Sequence, residues 1–252
     1  MKKILEAINV IKQMKDVKNF TLEGTADLKD NSEKVVSINF LKKKDTVNCN
    51  CSGNINIDFE GDTLTITKDR NNISLDSTVD GENLKVTVQS SKDLFSCDKF
   101  HKNSACCNYN IKKIDKLLFV LNIISKFEFE HIENGKKKFS LLLTDKDLPQ
   151  ELHNHICSHI QSKLNSDCCQ NHPNFCPELK VKIHNKIKSK FSGLKCDSTS
   201  ATIGLTIIVN DKNLIEQISF SKNISCKDEI GNDRNFALEV AGNINSYNTT
   251  QL

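Results

Sequence analysis

The densest gathering of chemistry-bearing side chains lies between residues 153 and 176. His153, His155, Cys157, His159, Cys168, Cys169, His172 and Cys176 fall within 24 residues. His155 and His159 are four apart, which on a helix sets both imidazoles on one face at ligand spacing. Cys169, His172 and Cys176 follow at intervals of three and four. Zinc accepts four such nitrogen and sulfur ligands, so zinc is the one cofactor this set would take. No CxxC accompanies these residues.

Disulfide chemistry competes for the same cysteines. Cys97 precedes the pair Cys106-Cys107, much as Cys157 precedes Cys168-Cys169. Disulfide geometry disfavours a bond between adjacent cysteines, so each member of a pair would bond elsewhere. In an oxidising compartment, Cys97 and Cys157 are expected to bridge to their nearby pairs and staple loops poor in apolar material. The chain has 11 cysteines, an odd number, so at least one thiol stays free or pairs between chains. Cys49 and Cys51 sit two apart on an expected strand and would face one side.

A third feature is basic. Residues 178–195 carry six lysines against one glutamate. Lys180, Lys182, Lys186, Lys188 and Lys190 lie between the apolar positions Leu179, Ile183, Ile187 and Phe191, which recur every four residues. The pattern reads first as the solvated face of an amphipathic helix. Its functional reading is contact with an anionic membrane or an acidic protein partner.

Other chemistry is excluded or faint. No GxGxxG, P-loop, HExxH, GxSxG or EF-hand pattern occurs, and no catalytic residues or enzyme activity are expected. The net charge of +3 and the lack of a basic–aromatic stripe argue against nucleic acid. Asn-X-Ser/Thr sequons at Asn19, Asn72, Asn223 and Asn248 matter only on a eukaryotic secretory route. No run of 18 apolar residues is present to span a bilayer. Met1–Ala7 does not read as a secretion signal, since Lys12, Lys15 and Lys18 interrupt the apolar positions behind it. The expectation is an extracytoplasmic protein if a leader was removed, and a cytoplasmic one otherwise.

The elements that would position these residues are legible as periodicity. Across residues 2–18, Ile4, Ala7, Ile8, Ile11 and Met14 define one helical face, expected to pack on a sheet, with a membrane-lying helix as the rival reading. From Phe20 the period becomes two, through Val36-Ile38-Phe40, Ile55-Ile57-Phe59, Leu64-Ile66 and Leu84-Val86-Val88. Turns are expected at Asp30-Asn31-Ser32, Cys51-Ser52-Gly53-Asn54, Glu60-Gly61-Asp62, Asp69–Asn72 and Asp80–Asn83, which gives an antiparallel meander with one covered face. Residues 93–110 are irregular and bear cysteines. Residues 111–126 form the most apolar helix, expected to be nearly buried as a plug or lid. A hairpin follows over 127–144, turning at Glu133–Lys136. Asp147 is a candidate N-cap for a second helical block over 149–164, which resumes around 178–191. Strands return at Thr202–Val209, Leu214–Lys222 and Phe236–Ile244.

Three stretches carry a resemblance. They are the helix running into the first strand over Ile4–Gly24, the hairpin Ile55-Asn56-Ile57-Asp58-Phe59-Glu60-Gly61-Asp62-Thr63-Leu64-Thr65-Ile66, and the C-terminal run Ile207–Ile218 with a last strand ending in Asn243-Ile244-Asn245. This order resembles the LolA/LppX-like group of lipoprotein carriers and lipid-binding lipoprotein domains. It implies an N-terminal helix before a strongly curved, incompletely closed antiparallel sheet, with helices on the concave side and a hydrophobic cavity. Two cysteine-rich helical blocks and the lack of a lipid-attachment cysteine depart from that pattern.

The expected fold is α+β: a strongly curved antiparallel sheet, or incomplete barrel, in one domain spanning 1–252. Its parts are a helix and meander (1–92), a cysteine-bearing loop and apolar helix (93–126), a hairpin (127–147), a Cys/His-rich helical block (148–196) and C-terminal strands (199–246). The expected function is non-enzymatic binding of a lipid or other apolar small molecule. Ile38, Phe40, Ile57, Phe59, Leu84 and Val86 would line the cavity with Leu117, Leu118 and Leu121 of the plug. The alternatives are a protein-interaction or structural domain with a self-filled core, and a Cys/His metal- or redox-responsive module.

Overall fold

The computed structural model describes residues 2–45, 50–69, 72–89, 121–147, 185–186, 188–190 and 195–248. A 14-residue helix, α1 (Lys2–Lys15), opens the chain. Six strands follow: β1 (Asn19–Asp30), β2 (Glu33–Asp45), β3 (Asn50–Phe59), β4 (Asp62–Asp69), β5 (Asn72–Val79) and β6 (Glu82–Gln89). Residues 121–126 are helical and lead into β7 (Glu128–His131) and β8 (Lys137–Thr144). The chain finishes with β9 (Lys195–Val209), β10 (Ile215–Lys227) and β11 (Asp233–Asn248).

All of these strands belong to one eleven-stranded antiparallel sheet in the order β6-β5-β4-β3-β2-β1-β11-β10-β9-β8-β7. The sheet is curved and not closed into a barrel. Strands near the two chain ends meet in its middle, where Leu22 pairs with Ile244 and Leu28 with Leu238. β6 and β7, consecutive among the described strands, are the two edges. β8 and β9 are neighbours although residues 145–194 separate them in sequence.

Alternation and register sort the side chains onto two faces. One cross-strand row reads Ser140, Thr206, Ser219, Ala241, Thr25, Asn39, Asn56, Thr65, Asp76 and Lys85. One residue along each strand, the parallel row reads Leu141, Leu205, Phe220, Val240, Ala26, Ile38, Ile57, Leu64, Ser77 and Leu84. The sheet thus has one polar face and one apolar face, as period-two patterning requires when a single side is to be covered.

Turn chemistry sets the register at one end. Two-residue loops join β1–β2 (Asn31, Ser32), β3–β4 (Glu60, Gly61) and β5–β6 (Asp80, Gly81), and every one of these loop residues has positive φ, from 46° to 92°. That is the left-handed geometry of the primed hairpin turns, whose twist matches the strands. We call this the hairpin end; the opposite end, where α1 enters β1, is the α1 end.

The buried core is correspondingly split. At the α1 end, Val10 packs with Phe139 and Val209, surrounded by Ala7, Met14, Phe127, Phe129, Ile207 and Ile215. The Phe139 ring lies 5.6 Å from that of Phe127 and 5.1 Å from that of Phe129, within the range of favourable aromatic pairing. Across the sheet, Leu75 and Val79 pack with Leu64 and Leu84.

Several sequence expectations need correction. Cys51-Ser52-Gly53-Asn54 is not a turn but the start of β3. Gly53 is there for close approach: a Cβ would stand 2.2 Å from the Leu41 carbonyl oxygen. On α1, the buried residue is Val10, while Ile4, Ile8 and Ile11 stay 39–58% exposed. The docked stripe is therefore rotated from the expected one and centred on Ala7, Val10 and Met14. Leu121, expected in a nearly buried helix, is 52% exposed at the first described residue of the 121–126 helix, and residues 111–120 lie outside the described residues.

Candidate ligand-binding face

The apolar face is where the expected ligand residues meet. Ile38 lies directly across from Ile57, Ile57 across from Leu64, and Leu84 across from Ser77. Ile38, Ile57, Leu64 and Leu84 are partly covered, and the neighbouring Ile55 is 41% exposed. Phe59, by contrast, is buried beside the β3–β4 turn. Val86 lies in β6 opposite Leu75. Leu117 and Leu118 lie outside the described residues.

Phe40 has a structural task on this face. Gly24 and Gly242 are cross-strand partners at the seam between β1 and β11. A Cβ on Gly24 would stand 2.7 Å from the Phe40 ring tip, and one on Gly242 3.9 Å from it. The ring covers the gap where two side chains are missing, a familiar way for an aromatic to protect glycine in a sheet. A ligand on this face would meet Phe40 as part of the floor.

Ser77 is the exception in the row. It is 2% exposed between Leu75 and Val79, and its hydroxyl has no hydrogen-bond partner among the described residues. Such a group forfeits on the order of 1–3 kcal/mol of solvation.

The hairpin end carries the strongest electrostatics. Asp30, on β1, receives both the Nε and a terminal nitrogen of Arg234 on β11, a fork-on-carboxylate pair that raises the Arg234 pKa further. The helical residues 185–186 and 188–190 sit over the adjacent turns. Lys186 bonds Asp62 and lies 2.7 Å from an Asp80 oxygen, and Lys190 lies 2.6 Å from Glu60. The other Asp62 oxygen accepts the Asp80 backbone N–H at 3.0 Å, which ties the two hairpin turns together. Hydrogen bonding to these carboxylates raises the pKa of both lysines. The acidic surface that Lys186 and Lys190 meet is thus the protein's own. Lys188 is exposed, and Lys180 and Lys182 lie outside the described residues.

The helix that Asp147 was expected to cap, over 149–164, lies outside the described residues, and Asp147 reaches back to the preceding segment. Its carboxylate pairs with Lys126 at 2.7 Å and accepts the backbone N–H and hydroxyl of Thr144 at 2.8 and 2.9 Å. The Lys126 bond, followed by the Thr144 amide, holds its carboxyl far below the usual range. Lys3 caps the 121–126 helix from α1, donating to the carbonyls of Ser125 and Phe127, where a cation favours the helix dipole.

The polar face has its own groove, about 700 Å³, whose lining includes Thr25, Asp27, Ser140, Thr206, Ser219 and Leu142. None of the residues expected to line an apolar cavity contributes to it. The zinc candidates His155, His159, Cys169, His172 and Cys176, and the disulfide candidates Cys97, Cys106, Cys107, Cys157, Cys168 and Cys169, lie outside the described residues. Among the described residues, Cys51 and Cys226 are in no disulfide, no three metal ligands converge, and no helix is long and apolar enough to cross a membrane.

Sequence reasoning missed Asp30 with Arg234, and it read Glu60, Asp62 and Asp80 only as turn residues. Three carboxylates at matching ends of successive hairpins were the available signal for the second set. No protein-family model matches the chain, and a search of curated proteins finds no significant match to it.

Proposed function

We propose that this protein is a non-enzymatic carrier or binder of a lipid or other apolar ligand, held against the apolar face of the sheet with helices of the 111–126 and 148–196 blocks over it. The observation that carries the reading is the continuity of that face. Apolar positions run across neighbouring strands while the sheet stays open, and Ile38, Ile55, Ile57, Leu64 and Leu84 keep part of their surface uncovered. Exposed aliphatic surface of this extent is costly in water and favours an occupant. The reading agrees with the LolA/LppX-like order of elements.

A second reading is favoured by different residues. Phe59, Leu75 and Val79 are buried by the protein itself, and Phe40 is committed to the glycine seam. A core filled by its own side chains would make this an interaction or structural domain. Native mass spectrometry of the purified protein, repeated after denaturation, separates the two. A carrier yields several hundred daltons of added mass that is lost on denaturation. A bare protein mass in both states overturns the carrier reading and leaves the self-filled domain. Added mass of one zinc ion would instead favour the Cys/His module.

A further inference from the structure

We propose that the outer face of α1 docks on the surface of an anionic lipid bilayer. The helix is apolar on two sides, and only one is used by the fold. Ala7, Val10 and Met14 face the core, and Lys3 and Glu6 point the same way, tied to the 125–127 carbonyls and to Lys137. The remaining aliphatic side chains, Ile4, Leu5, Ile8 and Ile11, are 39, 59, 40 and 58% exposed. At 100° per residue, Ile4, Ile8, Ile11 and Lys15 share one stripe, with Leu5 and Lys12 beside it.

Charge identifies the occupant. With Glu6 turned inward, the exposed sides of α1 carry Lys2, Lys12 and Lys15, against the one exposed carboxylate of Asp16 just past its end. The helix hands over to β1, whose first residues pair with Lys42, Lys43 and Lys44 of β2: Phe20 with Lys44, Leu22 with Lys42. Lys42 and Lys44 share the apolar side of the sheet with α1, and the Lys44 ammonium lies 6.0 Å from the Phe20 ring centre. Among the described residues, none of Lys12, Lys15, Lys42, Lys43 and Lys44 has a carboxylate partner. At the same end Lys136, Lys137 and Lys138 are paired with Glu216, Glu6 and Glu130, as Lys126, Lys186 and Lys190 are paired in other parts of the fold. Beside the uncovered aliphatic groups of α1 there is thus a group of lysines, Lys12, Lys15, Lys42 and Lys44, that no described carboxylate neutralises.

A bilayer surface fits this combination best. Lysine stems lie along apolar surface while their ammoniums reach phosphates. A second copy docking face to face would set Lys12 and Lys15 against their equivalents. Four aliphatic side chains, none aromatic, also fall short of the roughly 20 residues a side of a stable protein interface. At about 21 Å, α1 is too short to span and must lie in the interface.

The test is sedimentation of the full chain with phosphatidylcholine vesicles, with and without about 30% phosphatidylserine, at about 50 and about 300 mM salt. Binding is expected only with the anionic lipid and weaker at high salt. Lys12→Gln with Lys15→Gln should lower partitioning about fivefold per lysine. Ile8→Asn with Ile11→Asn should lower it at least about tenfold while leaving the melting curve unchanged. Should the isoleucine variant melt early, the lysine variant, whose ammoniums touch no carboxylate of the described fold, decides alone. No binding, equal binding to neutral vesicles, or indifference to the lysine substitutions overturns the proposal. So does concentration-dependent dimerisation abolished by the isoleucine variant, which would assign the face to a second copy. The inference does not rest on cavity occupancy, since the purified protein can bind vesicles with a bare native mass.

Discussion

At the α1 end, Val10, Phe139 and Val209 close against one another at 0–6% exposure. At the hairpin end, Lys186 and Lys190 meet Glu60, Asp62 and Asp80 with their side chains 30–36% exposed. Asp30 with Arg234 adds a more buried pair there. Apolar burial is insensitive to salt and costs much to undo. Exposed ion pairs are each worth little, are screened, and open readily. Among the described residues, 185–186 and 188–190 are tied to the sheet by ion pairs, whereas α1 is tied chiefly by apolar packing.

The sharpest way to break this comparison is at Phe139. Phe139→Ala removes the ring that Phe127 and Phe129 pack on, and should cost about 3–5 kcal/mol in urea unfolding at any salt concentration. Arg234→Met leaves the Asp30 carboxylate without its fork. The expected loss is about 1–3 kcal/mol, with Asp30→Asn in the same background recovering part of it. Asp62→Asn with Asp80→Asn should cost no more than about 1 kcal/mol globally. Its mark is local: hydrogen exchange at 185–190 rises at low salt to the wild-type rate at high salt. Equal exchange in both proteins at both salts would remove the ionic account of that end.

Acid sharpens the contrast from another side. Glu6, Asp27 and Asp147 have pKa values lowered chiefly by hydrogen bonds from Lys137, Ser37 and Lys126 respectively. A lowered folded-state pKa contributes stability that is present above the unfolded value of about 4 and lost as pH falls toward the folded one. Melting temperature should therefore hold through neutral pH and fall below about pH 4. Glu6→Gln should flatten part of that fall, because Glu6 is the charge by which α1 adds an ion pair to its apolar docking.

Local chemistry was readable in advance. The β7–β8 hairpin, its turn at Glu133–Lys136, and the alternation of Ile38, Ile57, Leu64 and Leu84 follow from period and turn residues, and the structure has them. Gly53 was misread because glycine serves turns and close approaches alike, and only the Leu41 carbonyl beside it distinguishes the two. The rotation of α1 was hidden because its sequence offers two apolar stripes, and the choice between them belongs to Phe139 and Val209.

The sequence by itself determined which residues alternate, where hairpins turn, and that one side of the sheet must be covered, because each depends on neighbours within a few positions. Tertiary structure alone decided that β1 lies beside β11, that β6 and β7 become edges, that Asp30 finds Arg234, and which lysines find carboxylates. Those pairings join residues up to more than 200 positions apart. Their selection rests on the summed burial and register of the whole sheet, which no local pattern encodes.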